Sequence, residues 1–241
     1  MRPSLLHIKN DNRAGSRRPC IYLSGGAFTL VELLVVISII VVLLAIMMPS
    51  LQKARNQAKK VACLSNMRQM GIVLITYLVD SDNHLPPSSC HLTNPDQYWL
   101  CILNKHSSAP LLFRCPSDKA KLFIDWSKPL TNQPDNARWS SFGINALMDA
   151  SVYNKTTNIR HPQSCIYISE APESWTSADH IHPDMWESLD YAKGSVDWDR
   201  HGKTSNYVFV DGHAENLKIE KTWDYPTINY WLPNTAPGWP R

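Results

Sequence analysis

The stretch FTLVELLVVISIIVVLLAIMM, residues 28–48, decides how this chain is organised. It holds one charged side chain, Glu32, and only two other polar ones, Thr29 and Ser38. Its length matches the roughly 20 residues that an α-helix needs to cross a bilayer. A core helix of a soluble domain would carry a polar face, and this stretch has none. We therefore predict a single transmembrane helix over residues 28–48.

The segments that flank this helix differ in charge. Residues 1–27 carry a net charge of +4, residues 49–79 carry +5 with no acidic residue, and residues 80–241 carry −5. A secretory signal peptide also begins with a basic segment, but its apolar run is usually ~7–15 residues and ends at a small-residue cleavage site, which is missing here. The formal charge of +3 for the whole chain is thus the sum of a basic leader, Glu32, a basic helix face and an acidic remainder, and we expect no nucleic-acid partner.

Glu32 is the unusual residue of the apolar segment. A carboxylate costs about 2.5–3.5 kcal/mol at the centre of a bilayer and less near its surface, and such a residue is usually retained because it pairs with something. One available partner is a new α-amino group, created by cleavage before Phe28. The other explanation is that Glu32 reaches the headgroup region from the first turn of the helix. Its position alone leaves both open.

The junction Gly25-Gly26-Ala27-Phe28-Thr29-Leu30-Val31-Glu32 resembles the class III signal of type IV pilins and type II secretion pseudopilins. The resemblance implies that prepilin peptidase cuts between Ala27 and Phe28, after which the amine of Phe28 is N-methylated. Glu32 is then the fifth mature residue, and Pro49 corresponds to a helix-bending proline. A glycine is more usual than Ala27 before the cut.

The resemblance also implies a location and partners. The leader, residues 1–27, stays in the cytoplasm, residues 28–48 span the bacterial inner membrane once, and the rest becomes periplasmic before it enters a filament. The implied partners are other pilin-like subunits and an assembly platform with a separate ATPase. The chain has no nucleotide-binding or hydrolase motif of its own, so we expect no enzymatic activity.

Residues 49–80 have the spacing of an amphipathic helix with a basic opposite face. The apolar positions recur every three or four residues at Leu51, Ala54, Ala58, Val61, Leu64, Met67, Met70, Leu74 and Tyr77. Joined to the membrane segment, they predict one long helix, bent at Pro49. The resemblance implies that its lower half packs in a filament and its upper half packs on the head.

The head, residues 81–241, contains most of the prolines and all nine tryptophans. Strand-like runs cover residues 165–169, 206–210 and 213–219, and residues 98–103 predict a short helix. Asp211-Gly212 lies between two of these runs and predicts a hairpin with a type I′ turn. The expected fold is α+β: a long helix packed on a small antiparallel sheet with long loops, as in pilins.

His201, nine residues and then Asp211-Gly212 match an H-X9-DG pattern of many prepilin-type proteins. Further fragments that resemble this class are Cys63–Gly71, Phe113–Asp118 and Ser141–Asn145. From the residues alone we expect His201 and Asp211 to be hydrogen-bonded across the base of the hairpin. A metal site with Asp197, Asp199 and Asp211 is the alternative, and calcium suits such carboxylates.

Cysteine spacing excludes some chemistry. No C-x-x-C pair occurs, which argues against a thioredoxin-like redox site or a zinc ribbon. An extracytoplasmic head permits disulfides. We expect one between Cys63 and Cys115, which would connect the stem helix to the head.

The expected function is that of a pilin-like (pseudopilin) structural subunit of a type II secretion or type IV pilus-like system. The alternative is a membrane-tethered periplasmic protein that binds a glycan, through the head's tryptophans, or another ligand. The two differ in whether copies of the chain polymerise.

Overall fold

The computed structural model describes residues 28–88, 98–108, 113–125, 128, 132–134, 136–149, 153–175, 180–224 and 227–233. The predicted leader, including Ala27, lies outside the described residues, as does Cys90. The chain divides into two compact units, Met1–Met48 and Pro49–Arg241.

Helix α1 spans Leu30–Asp80 and contains Pro49. Within the first unit its side chains are all exposed, and they include nearly every apolar residue from Phe28 to Met48. Among the described residues, α1 is the one helix that is long and apolar enough to cross a membrane.

In the second unit α1 buries one face, formed by Cys63, Met67, Met70, Gly71, Leu74 and Leu78. The predicted stripe was right for Met67, Met70 and Leu74. Its first four members, Leu51, Ala54, Ala58 and Val61, are exposed. The buried face thus begins at Cys63, because the head covers only the last part of the helix.

The head is built on a five-stranded sheet of order β3-β1-β2-β4-β5. The strands are β1 Phe142–Asn145, β2 Ile166–Glu170, β3 His180–Ile181, β4 Ser205–Phe209 and β5 Ala214–Leu217. The expected sheet was antiparallel, but β3 pairs with β1 in parallel, so the sheet is mixed. Two short helices, α2 Trp99–His106 and α3 Leu189–Ser195, and a small sheet of β6 Trp223–Asp224 and β7 Ile228–Asn229 complete an α+β fold.

The predicted hairpin is formed by β4 and β5, but its turn is not type I′. A type I′ turn needs positive φ at both central residues, whereas φ is positive at Gly212 (84°) and not at Asp211. The N–H of Gly212 donates to the carbonyl of Phe209, and the N–H of Phe209 donates to that of His213. The loop therefore has three residues and ends in a left-handed glycine.

The sheet is packed on both faces, because side chains alternate along β4. Val208 joins a core with α1 and α2, whereas Tyr207 and Phe209 join a second core with Trp186 and Trp231. Every tryptophan that the structure describes is buried or half-buried. The described tryptophans thus pack the head and do not form an exposed platform for a glycan.

Candidate functional site

Four side chains with metal-binding or nucleophilic atoms meet in the interior of the second unit. Cys63 comes from α1, Cys115 from the loop after α2, Glu170 from the end of β2, and His201 from the turn before β4. Because β2 and β4 are antiparallel neighbours, the last residue of β2 lies beside the entry to β4. The four ligand atoms all lie within 4.8 Å of one another. We call this group the Cys–Glu–His cluster.

Hydrogen bonds connect the members of the cluster. The Nε2 atom of His201 is 2.8 Å from Oε1 of Glu170 and 3.4 Å from Sγ of Cys115. The thiol of Cys63 donates to the same Oε1 of Glu170 over 3.0 Å. The second carboxylate oxygen of Glu170 accepts from the hydroxyl of Ser205 and the backbone N–H of Asn206. The carboxylate is fully buried, and it is the centre of the network.

Two loops hold the remaining side chains in place. The N–H of Cys115 donates to the hydroxyl of Ser141, and the N–H of Ser117 donates to Sγ of Cys115 over 3.4 Å. His201 opens a turn in which Gly202 and Lys203 have φ of 72° and 65°. The backbone of this turn closes when the N–H of His201 donates to the carbonyl of Thr204. The positions of Cys115 and His201 are therefore set by hydrogen bonds of the backbone.

A layer of buried ion pairs supports the cluster from one side. Arg200 lies 4.0 Å from Oε1 of Glu170, 3.5 Å from Oδ2 of Asp118, and also pairs with Asp197. Arg138 lies 3.2 Å from the same oxygen of Asp118 and donates to four backbone carbonyls. Charges that are removed from water in this way are tolerated only when they are paired and hydrogen-bonded.

The cluster strongly shifts the proton affinities of its members. Burial by itself would raise the pKa of Glu170, but hydrogen bonds from His201 and Asn206 and the charge of Arg200 outweigh it and lower that pKa to about 2. Burial opposes charge on His201 too, yet its contacts with Cys115 and Glu170 raise its pKa to about 9. The hydrogen bond between the two thiols lowers the pKa of Cys115 and raises that of Cys63. The site thus favours a charged carboxylate, imidazolium and one thiolate.

The residue types of the cluster are those of a Cys–His–acid triad, but the geometry is different. In a triad, the nucleophile contacts one ring nitrogen of the histidine, and the acid orients the other nitrogen. Here Cys115 and Glu170 both contact Nε2 of His201. Cys115 is also completely buried, which keeps a substrate away from its sulfur. The arrangement is therefore unsuited to nucleophilic catalysis.

The predicted pairing of His201 with Asp211 is not what the structure shows. The residues between them include the whole of β4, and five strand residues span about 17 Å. His201 contacts Glu170 and Cys115 at one end of the strand. Asp211 contacts the ring of His213 at the other end, 2.6 Å from Nδ1. The two halves of the H-X9-DG pattern therefore act at opposite ends of β4.

The far end of the pattern contacts α1. A Cβ atom on Gly71 would lie 2.1 Å from the carbonyl oxygen of Gly212, and a Cβ on Gly212 would lie 2.5 Å from Ile75. The helix and the hairpin can approach this closely because both positions are glycines, which have no Cβ. Two residues of the pattern therefore lie close to α1: His201 is near Cys63, and Gly212 is against Gly71.

The predicted carboxylate site for calcium is not assembled. Asp197 is paired with Arg200, and Asp211 lies at the opposite end of β4 from Asp197 and Asp199. Within the described residues, the group of three or more potential ligands is the Cys–Glu–His cluster, which includes none of the three aspartates.

Cys63 and Cys115 lie together, as the expected disulfide would require, but the structure describes both as free thiols. The fragments that carry the family resemblance contribute Cys63, Cys115 and His201. Glu170 was missed. The sequence signal for it was an acidic residue directly after the strand-like run 165–169, where a solvent-facing position was the simpler interpretation.

The residues of the predicted processing site are exposed where the structure describes them. The N–H and the hydroxyl of Thr29 donate to Glu32 over 2.9 and 2.8 Å, and the N–H of Glu32 donates to the hydroxyl of Thr29 over 3.2 Å. This is a capping box at the start of α1. It is a role for Glu32 that neither sequence-based explanation included.

No protein-family model matches the chain, and neither a curated protein nor a solved structure matches it significantly.

Proposed function

We propose that this chain is a pilin-like, pseudopilin-type structural subunit. Prepilin peptidase removes residues 1–27 on the cytoplasmic side, and the amine of Phe28 is then methylated. The subunit remains in the inner membrane, with its head in the periplasm, until it is assembled. An assembly platform with its own ATPase then extracts it into a short filament with other pilin-like subunits, in a type II secretion or type IV pilus-like system.

The observation that carries this proposal is the exposure of the apolar half of α1. Large hydrophobic side chains from Phe28 to Met48 are exposed by 46% or more. An apolar surface of this extent has to be covered, because soluble monomers rarely expose patches larger than a few hundred Å². A bilayer covers it before assembly, and neighbouring copies of the same helix cover it in a filament.

Glu32 has a specific place in this proposal. Its carboxylate accepts three hydrogens in the filament: two from Thr29 within its own chain and one from the Phe28 amine of a neighbouring subunit. The intermolecular pair lies among apolar helices, where a charge-assisted hydrogen bond is strong. It also sets the axial register of one subunit against the next.

The first experiment determines the mature N-terminus. The full chain is expressed with and without a prepilin peptidase, and the protein from the membrane fraction is analysed by N-terminal sequencing and intact mass. We expect Phe28 as the first residue, carrying one methyl group, only when the peptidase is present. A mature chain that begins at any other residue contradicts the proposal.

The second experiment separates the capping role of Glu32 from its intermolecular role. Glutamine also serves in a capping box, so Glu32→Gln keeps the start of α1 intact but removes the charge. Thr29→Val removes the side-chain contacts and keeps the charge. Assembly is measured by photo-crosslinking from a probe at Ile39, where a ladder of multimers indicates a filament.

We expect Glu32→Gln to be processed normally and to lose the ladder, whereas Thr29→Val keeps it. Normal assembly of Glu32→Gln would contradict the intermolecular pair. Monomers alone in the wild type would contradict the filament.

A tethered ligand-binding protein is the second candidate, and one cleft favours it. The basic face of α1 and the loops around Ser117 and His201 line a cleft of about 540 Å³. Its charged side chains are cationic: Lys53, Lys59, Lys60, Lys119 and Arg200. An anionic ligand suits this cleft, and the crosslinking experiment distinguishes the candidates because a tethered binder gives no ladder.

A further inference from the structure

We propose that Cys63, Cys115, Glu170 and His201 bind one transition-metal dication, with zinc as the best fit, and that this ion fastens α1 to the head. The site is independent of the proposed filament function, because it lies entirely within the second unit.

The ligand set selects the class of metal. Two sulfurs, an imidazole nitrogen and a carboxylate oxygen are all zinc ligands, and structural zinc sites take four of them in a tetrahedron. Thiolates bind calcium and magnesium poorly, because those ions prefer oxygen. Four protein ligands leave no open position for water or substrate, and three of the four residues are almost completely buried. Both features indicate a structural site.

The distances are close to those that an ion requires. A tetrahedral zinc, about 2.3 Å from sulfur and about 2.0–2.2 Å from nitrogen or oxygen, holds its ligand atoms roughly 3.3–3.8 Å apart. The spacings in the cluster are 2.8 Å for His201 to Glu170, 3.0 Å for Cys63 to Glu170 and 3.4 Å for Cys115 to His201. Lengthening the two shortest of these spacings by about half an ångström, which is within the freedom of side-chain torsions, converts the hydrogen-bonded cluster into a coordination shell.

The surrounding groups support a thiolate-rich site. The N–H of Ser117 already donates to the sulfur of Cys115, as suits a thiolate acceptor. The remaining oxygen of Glu170 stays hydrogen-bonded to Ser205 and Asn206, which orient the carboxylate while Oε1 faces the centre. Such hydrogen bonds from surrounding groups are what hold metal ligands in place.

The nearby cation Arg200 does not oppose a bound dication. It lies 4.0 Å from Oε1 of Glu170, and its charge is shared with Asp118 and Asp197. Within the cluster, two thiolates and the Glu170 carboxylate bring three negative charges to the ion. Metal binding requires deprotonated cysteines and a neutral imidazole, so metal affinity rises with pH.

The consequence concerns the stem. An ion at this site joins α1 to three separate head segments, at Cys115, Glu170 and His201. On α1 it lies about two helical turns before the close approach of Gly71 to Gly212. Because the four ligands come together only in the folded chain, metal binding stabilises the folded state.

The experiment uses the full chain in detergent micelles, kept reduced and freed of metal with a chelator. Cobalt(II) is titrated in, since it reports tetrahedral geometry and thiolate ligation by its absorption, and zinc is then added to displace it. We expect one cobalt per chain, intense tetrahedral bands, a sulfur-to-cobalt charge-transfer band, and full displacement by zinc. Excess calcium should change nothing.

The matched variants are Cys63→Ala, Cys115→Ala and Cys165→Ala. Cys165 is also buried and free but belongs to no ligand group among the described residues, so it controls for the loss of a buried thiol. We expect the first two changes to weaken cobalt binding by more than the roughly 10–100-fold that loss of a hydrogen-bonding partner of a ligand costs, and the third to leave it unchanged. Zinc should raise the thermal midpoint of the wild type and of Cys165→Ala only.

Three results overturn the proposal. They are no cobalt binding by the reduced wild type, cobalt bands without the charge-transfer band, and a Cys63–Cys115 disulfide in protein isolated with alkylation of free thiols. If a cysteine variant does not fold, the wild-type spectrum still decides, because only thiolate ligation produces the charge-transfer band.

Discussion

The two halves of α1 differ in how apolar residues are arranged around the helix, and their surroundings differ as well. From Leu30 to Met48 the helix is apolar on all sides except at Glu32 and Ser38, and the side chains are exposed. From Cys63 to Leu78 it is apolar on one side, and that side is buried against the sheet and α2. An all-round apolar surface needs a surrounding medium, whereas a one-sided surface needs a single partner. The arrangement of apolar residues around a helix thus indicates what covers it.

The largest expected effect comes from placing the same charge in each half. Met70→Asp puts a carboxylate at a fully buried position of the helix, and we expect a loss of about 4–5 kcal/mol or more in the unfolding free energy of the head. Val41→Asp should leave the head unchanged, because Val41 is exposed and lies in the other unit. Urea denaturation of the detergent-solubilised chain, followed by tryptophan fluorescence, measures both.

Val41→Asp should instead weaken membrane insertion, at a cost of about 2.5–3.5 kcal/mol. Carbonate extraction of membranes tests this second half of the comparison. If Val41→Asp destabilised the head as much as Met70→Asp, the two halves would not be independent, and the contrast between them would be wrong.

The second prediction concerns the close packing of α1 against the β4–β5 hairpin. Gly71→Ala would normally stabilise a helix by about 1 kcal/mol, but the new Cβ would be 2.1 Å from the carbonyl oxygen of Gly212. Backbone cannot yield as a flexible side chain does, so overpacking of about 1–3 kcal/mol or more outweighs the gain. We expect a net loss of about 2 kcal/mol in the unfolding free energy.

Gly194→Ala is the matched control, because Gly194 lies in α3 and a Cβ atom added there would have nothing within 4 Å. It should raise stability by about 0.5 kcal/mol. Equal changes in the two variants would show that the contact between α1 and the hairpin does not constrain the helix.

The sequence predicted those elements that depend on residues close together in the chain. The apolar run predicted a long helix, and Asp211-Gly212 between two strand-like runs predicted a hairpin. The turn type was wrong because the loop has three residues instead of two, so that Gly212 alone adopts the left-handed conformation, and an Asp-Gly pair does not fix the length of the loop. The parallel pairing of β3 with β1 was missed for a similar reason, since a two-residue strand has almost no pattern.

The candidate site was only partly predictable. Cys63 and Cys115 lie close together, as the expected disulfide required, but both are free thiols. His201 was singled out through the H-X9-DG pattern, which resembles one found in prepilin-type proteins. Glu170 could not be found in this way, because a buried carboxylate is stable only with partners, and its partners Cys63, His201, Ser205 and Asn206 lie far from it in the sequence. The predicted pairing of His201 with Asp211 was wrong because β4 lies between the two residues and keeps them at its opposite ends.

The smallest expected effect lies at the C-terminal end of α1, where Asp82 pairs with Lys155 at 2.7 Å. The contact with Lys155 lowers the pKa of Asp82 from its ordinary value of 3.8. A group whose folded pKa is depressed stabilises the fold above its unfolded pKa, and this contribution disappears as the pH falls through the folded value. Asp82→Asn should therefore reduce stability slightly at neutral pH and not at all in strong acid.

Asparagine suits this test because Asp82 has a φ of 52°, a left-handed conformation that Asn adopts readily. Asp80→Asn is the control: it removes an acid from the last residue of α1, where the helix dipole disfavours negative charge, and should stabilise slightly. The difference between the two variants should shrink in high salt, which screens exposed pairs. A pH-independent loss in Asp82→Asn would assign its effect to the backbone, and the ion pair would then contribute nothing to holding the end of α1 on the head.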